Sequence, residues 1–229
     1  MIVRMGLLTR KPGTTTEQFR RHWREVHGPL AARMPGLRRY HQNHVVDAPP
    51  LGIGSSPQGW RLDGISELWF DDVASMRAAV SSEAYRAVAA DEPNCMVGSK
   101  AIVAEQNPAV PLPPGGATGS LVKCMSALAR APGVEPGAFR RAWCDRHAAL
   151  VARLPGLAGY TQNVVVERAA GGRTAAYETV PVDGVAELWF RDTEALRAAC
   201  ASDAAREAEA QAHAFVETAA TWLVEVHAV

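Results

Sequence analysis

His27 and His147 each lie four positions after a tryptophan, Trp23 and Trp143, at the end of a segment with helical apolar spacing. Residues four apart share a helix face, so each imidazole is expected beside its tryptophan, where the helix stops. A neutral imidazole can give or take a proton near neutral pH. That chemistry suits isomerisation, elimination or cyclisation without a cofactor; the alternative is a ring that bonds a loop carbonyl and fixes the following turn. Glu67 and Glu187 stand between apolar neighbours in strand-like runs. A carboxylate there is either desolvated, with a raised pKa suited to acid–base work, or paired so that it holds the sheets together.

The stretch Tyr40-His41-Gln42-Asn43-His44 reads as a strand, which places His41 and Asn43 on one face and Tyr40, Gln42 and His44 on the other. Helix cover over the second set leaves His41 and Asn43 as the pocket group, with Thr161 and Asn163 opposite. The expected catalytic set is His27, Tyr40, His41, Asn43 and Glu67: the histidine takes a proton, and Tyr40, Asn43 or Glu67 stabilises the enolate or returns the proton. Trp23, Trp69, His147, Asn163 and Glu187 are the expected substrate contacts, although tryptophans at apolar positions also fit the core. No metal is expected. His22 and His27 point about 140° apart on an α-helix, and His41 and His44 lie on opposite strand faces, so neither pair forms a local metal site. No Walker loop, GxGxxG or CxxC occurs, and no cofactor is expected.

The elements that must position these residues come in two copies. Phe19, Trp23 and His27 recur as Phe139, Trp143 and His147; Pro35-Gly36-Leu37, Tyr40, Gln42 and Asn43 recur as Pro155-Gly156-Leu157, Tyr160, Gln162 and Asn163. Asp63-Gly64 and Glu67-Leu68-Trp69-Phe70 recur as Asp183-Gly184 and Glu187-Leu188-Trp189-Phe190, always 120 positions on. A period this long is a duplicated domain. The organisation expected is a first repeat over 1–106, a Pro/Gly linker over 107–119 and a second repeat over 120–229. Each repeat reads β-α-β-β-α-β, the ferredoxin-like unit, with Gly28-Pro29 breaking or kinking the first helix after His27. Ala148-Ala149 leaves the second copy's helix uninterrupted. The equal-length stretches Asp47 to Trp60 and Glu167 to Val180 are almost unrelated in sequence and read as lids.

Lysine plus arginine and aspartate plus glutamate balance at 24 each, which gives nucleic acid no basic surface. No span is apolar enough for a membrane, no signal peptide is seen, and the four cysteines form no framework within either repeat, so a cytoplasmic protein with reduced thiols is expected.

The string Phe19-x3-Trp23-x3-His27-Gly28-Pro29-Leu30, then Pro35-Gly36-Leu37-x2-Tyr40-x-Gln42-Asn43, then Asp63-Gly64-x2-Glu67-Leu68-Trp69-Phe70, resembles the EthD family. The resemblance covers nearly the whole chain, twice, and departs where Ala148-Ala149 replaces Gly-Pro. It implies the dimeric α+β barrel group, which includes methylmuconolactone methylisomerase, cofactor-free monooxygenases and some haem proteins. The fold expected is therefore α+β: two fused ferredoxin-like βαββαβ units forming one pseudo-twofold barrel, as a monomeric pseudo-dimer or a homodimer. The expected function is a cofactor-independent isomerase, lyase or cyclase of a small aromatic, lactone or polyketide-like metabolite. Alternatives are a non-catalytic small-molecule-binding or accessory barrel and a haem- or oxygen-linked oxidoreductase. Because the second copy lacks His41, His44 and Gly28-Pro29 while keeping His147, Tyr160, Gln162 and Asn163, one working pocket is expected near the first copy and a vestigial or differently tuned one near the second.

Overall fold

The computed structural model describes residues 1–47, 61–116 and 119–229. The first repeat runs β1 (Ile2–Arg10), α1 (Thr16–His22), a π-turn (Trp23–His27), α2 (Gly28–Ala31), β2 (Arg39–Asp47), β3 (Gly64–Phe70), α3 (Val73–Val80), α4 (Glu83–Cys95) and β4 (Met96–Val110). The second runs β5 (Val122–Arg130), α5 (Pro136–Arg141), a π-turn (Ala142–His147), α6 (Ala148–Val151), β6 (Leu157–Ala170), β7 (Arg173–Thr174), β8 (Gly184–Phe190), α7 (Thr193–Cys200), α8 (Asp203–Ala212) and β9 (Val216–Ala228). Side-chain caps set the helix starts. Thr15 forms a capping box with Gln18, and Asp72, Ser82, Asp192 and Ser202 each accept a bond from a first-turn amide.

The strands close into one antiparallel barrel in the order β4-β1-β3-β2-β9-β5-β8-β6, with β6 returning to β4. The seams between repeats are β2–β9 and β4–β6, related by the pseudo-twofold. Alternation along each strand sends Val3, Met5, Ile65, Trp69, Ile102, Met125, Val185 and Trp222 into the barrel, while Ile2, Leu68, Phe70, Tyr40 and their counterparts face the helices. Both sheet faces are thus covered, as expected.

Three local expectations are corrected. The linker does not begin at 107: β4 runs on to Val110, with Asn107 opposite Gln162 and Val110 opposite Tyr160, because the seam continues past the end of the first repeat. Gly28-Pro29 does not break the helix, and the two copies do not differ there. In both, a π-turn carries the chain on, with the Gly28 N–H bonded to the Trp23 carbonyl and the Ala148 N–H to that of Trp143. Proline is therefore not the cause. Each of those carbonyls also accepts a bond from a glutamine amide on the strand below, Gln42 Nε2 at 2.8 Å and Gln162 Nε2 at 2.7 Å, which tethers the wider turn to the sheet.

The third concerns the lids. Glu167 to Val180 is a hairpin that stoppers one barrel end: Val180 and Val182 are buried among Leu7, Leu62, Ile65 and Val185. Arg168 fastens it by donating to the carbonyls of Val180 (3.1 Å) and Val182 (2.7 Å) and to Asp183. Of the matching first-repeat stretch, residues 48–60 lie outside the described residues.

Because each repeat leaves β2- and β4-type edges to be completed by the other, residues 1–112 alone should self-associate rather than persist as a soluble monomer. Sedimentation of that fragment checks this; a stable monomer would show that one repeat needs no second sheet edge.

Candidate functional site

The sheet separates the expected site residues into two groups. His27, His147, Trp23 and Tyr40 lie between the sheet and the helices, whereas His41, Asn43, Glu67, Trp69, Asn163 and Glu187 line the barrel. Among the described residues, no one cavity of those lined by these side chains collects the set proposed from sequence. The expectation that Tyr40, Gln42 and His44 lie beneath helices and that His41 and Asn43 face inward is met.

At the barrel's centre, Lys123 donates to Glu67 at 2.7 Å and to Asn43 Oδ1 at 3.1 Å and pairs with Glu187 at 2.9 Å. All these groups are buried. Asn43 Nδ2 donates to Glu67 (2.8 Å), and Asn163 Nδ2 to Glu187 (2.6 Å). The conserved geometry of each Asn–Glu pair leaves two carboxyls facing one ammonium. Glu67 Oε1 is buried without a hydrogen-bond partner, and the two carboxyls are near enough for each to shift the other's ionisation. Burial, then the Glu67 charge, pushes Glu187 up to about 7. Burial also opposes ionisation of Glu67, but attraction to Lys123, the adjoining Glu187 carboxyl and the bonds from Lys123 and Asn43 hold its pKa below the ordinary value. Sequence reasoning missed Lys123. Its counterpart in the first repeat is Val3, so the available signal was a lone lysine at an apolar strand position.

His41 belongs to this interior. Its ring stands edge-on to Trp69 at 4.9 Å, and burial lowers its pKa to about 4. A 230 Å³ cavity reaches the cluster from the barrel end opposite the stopper, rimmed by Arg39, Trp69, Trp189 and Leu112. His44 lies on the helix side, packed on Trp23 at 4.5 Å and His227 at 4.7 Å.

The helix side holds the family-like signature, and there it works as scaffold. Trp23 Nε1 and Gln42 Nε2 both donate to the Tyr40 hydroxyl, at 3.1 and 3.2 Å; Trp143 and Gln162 do the same to Tyr160, each at 3.0 Å. Gly64 and Gly184 are dictated by these rings, since a Cβ would sit 2.3 Å from Trp23 or 2.2 Å from Trp143.

Under the helices the two repeats differ in what is left empty. The first-repeat cavity beside His27 is about 30 Å³, and the second-repeat cavity beside His147 is about 380 Å³. Arg4 and Tyr85 occupy the first, with the Arg4 guanidinium 5.7 Å from the Tyr85 ring centre; their counterparts are Cys124 and Ala205. Val88 and Glu92 likewise become Ala208 and Ala212. Side-chain volume thus leaves little space beside His27, while His41 faces the barrel interior and His44 packs behind Trp23.

His147 lines the open cavity. Its Nδ1 lies 2.8 Å from Gln211 Oε1, and a carbonyl oxygen only accepts, so Nδ1 carries the proton and Nε2 keeps its lone pair. Burial lowers its pKa, with Gln211 opposing, so the ring is neutral at pH 7. Tyr160 also lines the cavity; burial raises its pKa, against the bonds from Gln162 and Trp143. With two donors already on its oxygen, the Tyr160 proton is available to a third partner. In the first repeat, His27 Nδ1 instead bonds Asp91 at 3.0 Å, the counterpart of Gln211.

Two outcomes follow from the central cluster. Lys123→Val, which copies the first repeat, should destabilise the protein by about 3–5 kcal/mol by leaving two buried carboxyls without a cation. Adding Glu67→Gln and Glu187→Gln should recover most of that in denaturant unfolding; no recovery would mean the loss comes from packing. Glu187 also makes stability pH-dependent: its pKa is higher folded (about 7) than unfolded (about 4.3), so its contribution is full below about pH 4.3 and is lost as pH rises to 7. Melting temperatures of wild type minus Glu187→Gln should fall across that window, and a flat difference would contradict it.

The EthD domain model matches residues 11–99 and 131–219. No curated protein is significantly similar to the chain in sequence. Among solved structures, an anthrone oxidase-like protein superposes with a TM-score of 0.66 at 11% identity, over 99% of this chain and 92% of that one. A putative monooxygenase from Lactobacillus acidophilus NCFM gives 0.56 at 12% identity over 100% and 95%. A putative chlorite dismutase gives 0.53 at 13% identity over 98% and 95%. At such identities the likeness is one of fold. With both domain matches falling on the two halves of one closed barrel, the chain belongs to the EthD family as a tandem, fused α+β barrel.

Proposed function

We propose that the chain is a cofactor-independent enzyme that moves a proton on a small, largely apolar metabolite held in the second-repeat cavity. The observation that carries this reading is the 380 Å³ cavity with His147 at its wall, against 30 Å³ beside His27. The walls are mainly aliphatic and aromatic, with Ser126, Thr221, Tyr160, His147 and the carboxylate of Glu209 as polar groups, a lining suited to a flat aromatic, lactone or polyketide-like ring.

In this reading His147 Nε2 accepts a proton from an acidic C–H or O–H of the substrate and becomes imidazolium, its Nδ1–H still held by Gln211. The electron pair left on the substrate delocalises onto an oxygen, to which the Tyr160 O–H donates a hydrogen bond. Returning the proton from Nε2 to a different carbon completes an isomerisation; expulsion of a leaving group from the same enolate completes an elimination. The fold neighbours described as anthrone oxidase-like and as a putative monooxygenase favour a second reading, in which the same carbanion meets dioxygen. Both begin with the proton transfer to His147.

A thermal-shift screen of aromatic and lactone metabolites identifies the ligand, and two variants then locate the site. Ala205→Tyr with Cys124→Arg, which copies the first repeat's filling, should abolish the shift while the fold is retained. Once turnover is found, His147→Ala should lower it by about 10²- to 10⁴-fold, and His27→Ala should leave most of it. Activity should rise with pH through a pKa below 6.5, as the ring loses its proton, and be level at neutral pH. Equal losses from both histidine variants would refute the second-repeat assignment, and no loss from either would make the barrel a binding module.

A further inference from the structure

The first repeat gathers a set of side chains that its own signature does not account for. His22 Nε2 lies 2.9 and 3.1 Å from the two carboxylate oxygens of Asp91, and a ligand atom from each of His22, Asp91 and Cys95 lies within 4.8 Å of the others. Asp91 and Cys95 are buried, and His22 is partly open to solvent, with 28% of its side chain exposed.

Two elements of local geometry build the cluster. Asp91 and Cys95 are four apart on α4 and so share its face. His22 and His27 are five apart, which on an α-helix turns them away from each other; the intervening π-turn closes on i→i+5 bonds, and both rings reach the same Asp91 carboxylate. The expected angle of about 140° between these rings assumed an α-helix, and the π-turn between them is not one. In the second repeat the three positions are Ala142, Gln211 and Phe215. All three ligand types are replaced together, and the same helices are joined there by the Gln211–His147 bond and by Phe215 packed edge-on against His147 at 5.5 Å.

We propose that His22, Asp91 and Cys95 form a zinc site that clamps α1 to α4 in the first repeat. Imidazole nitrogen, carboxylate oxygen and thiolate sulfur are the donors a borderline-soft divalent ion takes. One carboxylate and one thiolate match its two charges, so the loaded site is neutral where it is buried. Solvent completes the tetrahedron on the open His22 side. His27 Nδ1–H, 3.0 Å from Asp91 Oδ2, is the outer-sphere bond that orients the ligating carboxylate. The site is structural and independent of the second-repeat cavity.

The test is metal uptake by the full chain after treatment with a chelator. Wild type should retain one equivalent of zinc through dialysis and should show a thiolate-to-metal charge-transfer band when titrated with cobalt(II). His22→Ala, at a partly exposed position, and Cys95→Ser should both lose stoichiometric uptake, and Cys95→Ser should lose the band, with circular dichroism confirming that the metal-free variants are folded. Cys200→Ser, an exposed thiol elsewhere, should keep both. His27→Ala should weaken binding by about 10- to 100-fold. Zinc should raise the melting temperature of wild type and not of His22→Ala. Absence of stoichiometric uptake by wild type, or uptake and band unchanged in Cys95→Ser, would overturn the proposal.

Discussion

A closed barrel built from two copies of one unit brings identical side chains together on its axis, and here those side chains are carboxyls. Glu67 and Glu187 are held by Asn43 and Asn163 so that they meet near the pseudo-twofold, both buried. Two such groups cannot both ionise unaided. Lys123 resolves this by departing from the symmetry: it takes the place that Val3 occupies in the other half and lies between both carboxyls. Fusion of the repeats makes such a solution available, because a homodimer would have to present two ammonium groups or none.

The same freedom shows on the outer faces of the barrel. The tryptophan–tyrosine–glutamine clamps and the π-turns are reproduced in both halves, so the backbone frame is held in common. Within it, the first repeat is filled by Arg4 and Tyr85 and carries a histidine–aspartate–cysteine cluster, whereas the second is hollow and presents a histidine whose tautomer is set by a glutamine. One half is filled under its helices and the other is left open.

Much of this frame was legible in the sequence. The 120-residue offset, strand alternation and Pro-Gly turns give the two units; alternation puts His41 and Asn43 on one strand face, and only helix cover over the other face makes theirs the interior. The site was less legible, for physical reasons. The recurrent residues Trp23, Tyr40 and Gln42 are repeated because they fasten a π-turn to a strand, and a π-turn has no sequence pattern as plain as a heptad. Cavity volume is set by differences between copies rather than by what they share: Tyr85 against Ala205 and Arg4 against Cys124 were visible as changes of size, but only the fold shows that those positions face each other beneath the helices. Lys123 was visible in the same way, as one lysine among apolar strand residues.

The central claim is that a symmetric frame carries unequal cavities under its helices, open in the second repeat and filled in the first. The most direct measurement is an amide chemical-shift map of the protein titrated with a flat apolar probe such as 2-naphthol. Perturbations should gather on Ser126, Ala186, Ala205 and Ala208 around the second-repeat cavity and saturate, leaving their counterparts Gly6, Ser66, Tyr85 and Val88 unmoved. Equal perturbation of both groups, or saturable shifts confined to the first, would contradict it.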